Sequence, residues 1–194
     1  MSGMTLRYKF SVFFILFILF TVFLNNIGSI ASFVVLSFIF FMLFKYGTVF
    51  FGSSWKPMKK GAIEKVSSII GRNDNVYDIG CGDGRVLSHA RKSKNCRVTG
   101  IEIDPIKCII SYLRVRGWKK DVSIVFGSMY RKSLRDADVI IAYLPQTTLD
   151  ELQNKFLSEM KKGSRVITCV SVCKKLCLVK EFKKDRVYVY SNTK

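Results

Sequence analysis

Residues 76–85 read V-Y-D-I-G-C-G-D-G-R, and this stretch decides the fold. Four strand-like residues run into glycines at alternate positions, Gly80, Gly82 and Gly84. Glycine serves where a backbone must turn with positive φ or admit a ligand with no Cβ in the way. A helix that starts just past the turn offers unpaired N–H groups to an electron-rich ligand. Residues 101–105, I-E-I-D-P, then place an acid, Glu102, at the end of a second apolar run. Open α/β sheets hold a nucleoside in this way, with the loop against its tail and the carboxylate on its ribose hydroxyls.

Working outward, the chain alternates strands and helices. Ile63, Val66 and Ile70 form an apolar stripe on a helix that Gly71 ends. Strands are expected at 76–79, 97–103, 122–126, 137–143, 165–172 and 186–190, with the first crossover helix over 84–93. Asp104-Pro105 suits a helix start, with Asp as N-cap and Pro at the first helical position. Ile106, Ile109, Ile110 and Leu113 are expected to give that helix its buried face. Thr148 and Glu151 have capping-box spacing ahead of Leu152, Phe156 and Met160. The expected class is α/β, a doubly wound and mostly parallel Rossmann-like sheet over residues 56–194.

The loop detail selects among nucleosides. A dinucleotide fingerprint needs glycine where this chain has Arg85, and its strand usually carries an apolar residue at Asp78. The string D-I-G-C-G-D-G-R resembles the first motif of class I S-adenosylmethionine-dependent methyltransferases, with Glu102 as their ribose-binding acid. The resemblance implies S-adenosylmethionine as cofactor, held by Asp78, Gly80, Cys81, Gly82, Gly84 and Glu102, with Ser128 and Met129 on the adenine side. More narrowly, the chain is similar to small membrane-anchored protein-lysine methyltransferases and their archaeal relatives. These include the mitochondrial enzymes acting on the ATP synthase c-subunit and the adenine nucleotide translocase. That likeness rests on the same loop, on G-I-E-I-D-P at 100–105, on D-V-I-I-A-Y-L-P at 138–145 and on K-K-G-S-R-V-I at 161–167.

The acceptor side is expected at Tyr143, Leu144 and Pro145, at the carboxyl end of the fourth strand. Pro145 lacks an N–H and holds Leu144 out of helical geometry, which would leave the Tyr143 and Leu144 carbonyls free to accept from an amine. Packing alone is the other reading of Tyr143. His89 falls on the first crossover helix, away from that end. Cys81 suits a small residue beside the cofactor better than a nucleophile.

Residues 1–55 differ in composition. They hold all the Phe except Phe126, Phe156 and Phe182, and no acid precedes Glu64. A helix rises about 1.5 Å per residue, so the apolar run 10–24 covers roughly 22 Å of a hydrocarbon core of about 30 Å, and flanking residues must join it. The expectation is an anchor of two transmembrane helices over about 8–26 and 27–46. Arg7, Lys9 and Lys45 flank the pair while the turn between carries no charge, which puts residues 56–194 on the cytoplasmic face. The mitochondrial inner membrane is the alternative address. A cleaved signal near Ala31 and a single kinked segment are competing readings.

Of the +18 net charge, all but those three positive residues fall on 56–194. Anionic lipid head groups are favoured over nucleic acid as the partner of this charge, since no RNA-binding motif or aromatic platform accompanies it. Six Cys without a C-x-x-C pair, and one His, argue against a zinc site and for reduced thiols. The reading is a bilayer-anchored enzyme that methylates the ε-amine of lysine in a protein, itself a candidate membrane protein. Methylation of a lipid amine or RNA, or a degenerate cofactor-binding scaffold, are the alternatives.

Overall fold

The computed structural model describes residues 20–22, 31, 33–39, 41–42, 56–94, 96–118 and 121–191. The chain divides into two compact units, Met1–Phe50 and Phe51–Lys194. In the first, residues 33–39 are helical. Among the described residues no helix is long and apolar enough to cross a membrane. The spans expected over 8–26 and 27–46 fall largely outside the described residues.

The second unit is built on a seven-stranded sheet of order β3-β2-β1-β4-β5-β7-β6. Its strands are β1 (Asn75–Ile79), β2 (Arg97–Glu102), β3 (Val122–Phe126), β4 (Val139–Ala142), β5 (Arg165–Cys169), β6 (Cys177–Phe182) and β7 (Val187–Ser191). Strands β1 to β5 pair in parallel, whereas β7 pairs antiparallel with β5 and β6 antiparallel with β7. The helices are α1 (Lys60–Ile69), α2 (Arg85–Lys94), α3 (Pro105–Val115) and α4 (Gln146–Glu159). Chain order reverses between β1 and β4, and the crevice at their carboxyl ends is where such sheets take ligands.

Two apolar layers sandwich the sheet. One joins Ile63, Val66 and Ile70 to Val76, Leu87, Val98 and Val115. The other packs Leu149, Leu152 and Phe156 of α4 against Ile79, Ile140 and Val166. All four β4 residues are buried, as a central strand covered on both faces requires. Between α1 and α2, Ser67 Oγ and His89 Nδ1 lie 2.9 Å apart, so His89 joins two helices away from the crevice.

The structure corrects the sequence reading in four places. Strand β6 was not foreseen; it is exposed along most of its length, so no buried alternation marks it. Strand β5 stops at Cys169 because Val170 turns to φ 73°. Helix α4 begins at Gln146, two residues before the expected capping box, with Pro145 as N-cap; Glu151 instead accepts from the Tyr130 hydroxyl. The fourth correction is on α3, where Ser111 and Val115 are buried while Ile109, Ile110 and Leu113 face solvent. Asp104 does cap this helix, its Oδ1 accepting from the N–H of Ile106 (2.9 Å) and Lys107 (3.3 Å).

A pair of truncations checks this assignment of faces by chemical denaturation. Phe156→Ala, at a fully buried position, should lower stability by about 3–5 kcal/mol. Leu113→Ala, on the outer face of α3, should change it by less than about 0.5 kcal/mol.

Candidate active site

At the carboxyl ends of β1, β2 and β4 the chain leaves a cavity of about 460 Å³. The glycine loop forms one wall. Gly80, Gly82 and Gly84 take φ values of 80°, 57° and 74°. The N–H groups of Gly80 and Cys81 both donate to the Ile101 carbonyl, at 2.8 and 3.1 Å, which seats the loop on the end of β2. Gly84 also has no room for a side chain: a Cβ there would lie 2.3 Å from Ser111 Oγ and 3.1 Å from the Ser111 Cα. Helix α3 thus passes the loop at backbone distance.

Glu102 closes the loop from the second strand. Its Oε2 accepts from the Gly82 N–H at 2.8 Å, and its Oε1 from the N–H of Ile103 (2.9 Å) and Asp104 (3.0 Å). A carboxylate oxygen offers two acceptor sites. Oε1 uses both and Oε2 keeps one, on a residue that lines the cavity. The side chain is therefore fixed in place with acceptor capacity left for a hydroxyl.

Asp78 carries the clearest sign of a ligand. It is buried, it lines the cavity, and its Oδ2 has no hydrogen-bond partner among the described residues. Burial, then the charges of Glu102 and Asp83, push its carboxyl up to about 7. A buried acceptor left without a donor calls for one from outside the protein, and a cationic ligand would lower this carboxyl again. Asp83 is the reverse case: although burial opposes it, hydrogen bonds and charge from Arg85 and Arg114 hold its carboxyl below the usual range. Arg85 Nε donates to Asp83 Oδ1 at 2.9 Å, and Arg114 Nε to the Asp83 carbonyl at 2.7 Å. This clamp ties the loop to α2 and α3.

Cys81 lines the cavity, yet its Sγ lies 3.9 Å from Ser111 Oγ and would sit 2.8 Å from a Cβ at Gly100. The thiol thus faces into the fold. Burial pushes its pKa up, so it stays a thiol and is no nucleophile. Met129 reaches the cavity wall. Ser128 turns its hydroxyl to the Tyr130 N–H at 3.3 Å and is not part of that wall. Cys169 ends β5, Cys173 lies in the following loop and Cys177 opens β6, so their even spacing gathers no cluster. Among the described residues no group of His, Cys, Asp and Glu could hold a metal ion.

Tyr143, Leu144 and Pro145 also line the cavity, and Leu144 packs against the loop, since a Cβ at Gly80 would lie 3.0 Å from its Cδ2. The half-buried Tyr143 has its phenol pushed up by desolvation and also lines a second cavity of about 260 Å³ on the α1 side. One expectation fails here: the Leu144 carbonyl accepts from Ser171 Oγ at 2.7 Å and is not free. Gln146 completes the latch, donating to the Val172 carbonyl at 2.8 Å and accepting from the Val172 N–H at 3.0 Å. Sequence reasoning missed Asp83, Val170 and Ser171. Only Asp83, inside the glycine motif, gave a local signal; Val170 and Ser171 arrive from a distant part of the chain.

Residues 78–172 match the family model described as the ANTKMT methyltransferase domain. A protein-lysine N-methyltransferase of Saccharolobus islandicus (strain REY15A) is 31% identical over 102 residues, covering 51% of this chain and 63% of that protein. The adenine nucleotide translocase lysine N-methyltransferase of Mus musculus is 27% identical over 111 residues, covering 55% and 48%. The chain therefore spans about half to under two thirds of the curated relatives it matches. Among solved structures, an RNA methyltransferase from Salinibacter ruber, crystallised with S-adenosyl-L-homocysteine, shares the fold with a TM-score of 0.66 and 22% identity, covering 70% of this chain and 91% of that one.

The raised Asp78 carboxyl has a definite pH signature. Its stabilising contribution is complete below the ordinary carboxylate value of 3.8 and is lost as pH rises through about 7. In the absence of ligand, Asp78→Asn should match the parent melting temperature at pH 4 and exceed it by on the order of 5 °C at pH 8, measured by thermal denaturation. Equal melting temperatures at pH 8 would show that the orphaned carboxylate costs the fold nothing.

Proposed function

We propose, from the methyltransferase domain that residues 78–172 carry, that this chain is a membrane-tethered S-adenosylmethionine-dependent enzyme methylating the ε-amine of a lysine in a protein. The observation that carries this reading is the cleft between the glycine loop and the Tyr143-Leu144-Pro145 turn, with the orphaned Asp78 carboxylate in its wall. When bound, S-adenosylmethionine supplies an electrophilic methyl group and a cationic centre. The remaining acceptor site of Glu102 suits a ribose hydroxyl, the backbone turn at Gly82 lines the cavity where a ligand would lie, and Asp78 suits a donor on a cation.

The residues of the Tyr143-Leu144-Pro145 turn position the acceptor. Methyl transfer is an in-line displacement, so the protein gains most by holding a neutral amine aligned. The latch from Ser171 and Gln146 keeps the 143–146 turn rigid. Half-buried Tyr143 helps to exclude water from the cleft. Lysine as acceptor is supported by the relatives from Saccharolobus islandicus and Mus musculus, both lysine N-methyltransferases. A membrane tether rests on the apolar, acid-free composition of residues 1–55, and the cytoplasmic placement of residues 56–194 on Arg7, Lys9 and Lys45. Tethering would concentrate the enzyme on membrane-embedded acceptors.

Native membranes incubated with methyl-labelled S-adenosylmethionine and the full chain should yield label in protein, recovered after hydrolysis as N-methyl-lysine. Label found only in lipid extracts, or only in RNA, would overturn the lysine acceptor. Glu102→Gln should weaken cofactor binding at least about tenfold by calorimetry, since an amide nitrogen replaces one acceptor oxygen. Turnover of a saturating lysine substrate should climb by up to about tenfold per pH unit between 7 and 9, because the amine, of pKa about 10.4, must lose its proton first.

A further inference from the structure

The outer face of α3 is apolar for no reason internal to the fold. Ile109 is 61% exposed and Leu113 53%, with Ile110 and Tyr112 open beside them. These positions recur at helical spacing, so they form one stripe. Phe126 adds to the same side: it alternates with Val122 and Ile124, which pack in the layer containing Val115 of α3, and it is 58% exposed at the carboxyl end of β3. Single exposed aliphatics need no explanation, but a stripe of them does.

Charge identifies the occupant. From residue 105 to residue 120 the chain carries Lys107, Arg114, Arg116, Lys119 and Lys120 and no acid at all. Lys107 and Arg114 are tied to Asp104 and Asp83, while Arg116 follows the helix in an exposed 3-10 turn. An apolar stripe on a helix whose own sequence is basic and free of acid, with aromatic residues among it, is the pattern of a helix that lies in the interface of a bilayer with anionic head groups.

We infer that α3 is a lipid-docking surface: Ile109, Ile110, Leu113 and Phe126 enter the interfacial layer of an anionic bilayer, and the exposed Arg116 just past the helix meets its head groups. The inference rests on the reading that this chain works at a membrane, and it adds a contact made by the catalytic unit itself. Its consequence is geometric. Lys107, in the first turn of α3, lines the cofactor cavity, and Leu113 lies six residues further on, roughly 9 Å along the helix. Contact through this face holds the cleft beside the head groups, where a lysine at the membrane surface would be presented.

The test uses the full chain on vesicles containing a trace of phospholipid with a photoactivatable diazirine on its acyl chain. Labelled peptides are mapped by mass spectrometry on vesicles of phosphatidylcholine with phosphatidylserine and on phosphatidylcholine alone. Peptide 108–114 should be labelled on the anionic vesicles, at least about fivefold less on neutral ones, and progressively less as salt rises from about 0.1 to 1 M and shortens the screening length from roughly 10 to 3 Å. The doubly substituted Ile109→Gln, Leu113→Gln chain should lose that label by a similar factor while keeping its melting temperature. Label confined to residues 10–44 overturns the docking surface and leaves the tether standing. Label in 108–114 with none in 10–44 removes the tether and keeps the docking surface. Equal labelling of 108–114 on neutral and anionic vesicles, or labelling unmoved by the double substitution, overturns the inference.

Discussion

The hydrogen bond from the Gly82 N–H to Glu102 Oε2, 2.8 Å long, is the constraint on which the rest of the site depends. It joins a loop that only glycines can form to an acid delivered by the neighbouring strand. The parallel register of β1 with β2, pairing Asp78 with Gly100 and Ile79 with Ile101, brings these two segments side by side. With Glu102 satisfied by three backbone donors, a buried carboxyl group is tolerated where a ligand can use its remaining acceptor site. Asp83 performs the same service from the other side, fixed by two arginines from different helices. The loop is therefore held at both ends before any ligand arrives, so that little ordering is left for binding to accomplish.

The electrostatics of the cleft run against those of the chain. Its net charge is +18, yet Asp78, Asp83, Glu102 and Asp104 all line one cavity. Two of them are quenched by cations, Asp83 by arginines and Asp104 by Lys107, while Asp78 has no cationic partner among the described residues and is pushed toward its neutral form. Lys56, Arg85 and Lys107 line the same cavity, so most of the acidic charge is balanced and the acceptors left for a small cationic ligand are Asp78 and Glu102. Two local acceptors of this kind suit a small sulfonium ligand in the cleft.

The glycine motif, the acid after the second strand and the sheet's parallel core could be read from the chain because each is a local pattern with one physical cause. What could not be read depends on contacts between distant segments. The Ser171–Leu144 hydrogen bond joins residues 27 positions apart, and nothing around Ser171 announces it. The left-handed turn at Val170 is unexpected for a β-branched residue and ends β5 early. Its backbone N–H donates to the Arg186 carbonyl at 2.8 Å, so the irregular conformation is held by the chain entering β7. Strand β6 escaped detection for another reason: an edge strand exposed on both faces carries no alternation to find.

The misreading of α3 has the most informative cause. Its aliphatic residues have the correct period for a buried face, but the loop beneath them excludes that face. Gly84 lies so close to Ser111 that even a Cβ would collide, and a helix approaching a backbone at this distance must turn small side chains inward. Ser111, with no exposure at all, occupies the contact. With Ser111 and Val115 taking the inner side, the geometry of helix spacing sends Ile109, Ile110 and Leu113 outward. The demand that builds the cofactor loop thus also creates the exposed stripe. Close packing at Gly84 fixes which face is available, but it does not require that face to be aliphatic: polar residues would serve a purely solvated helix equally well. An outward stripe of isoleucine and leucine, in a stretch with five cations and no acid, therefore points to a surface used against something apolar beneath a negative layer.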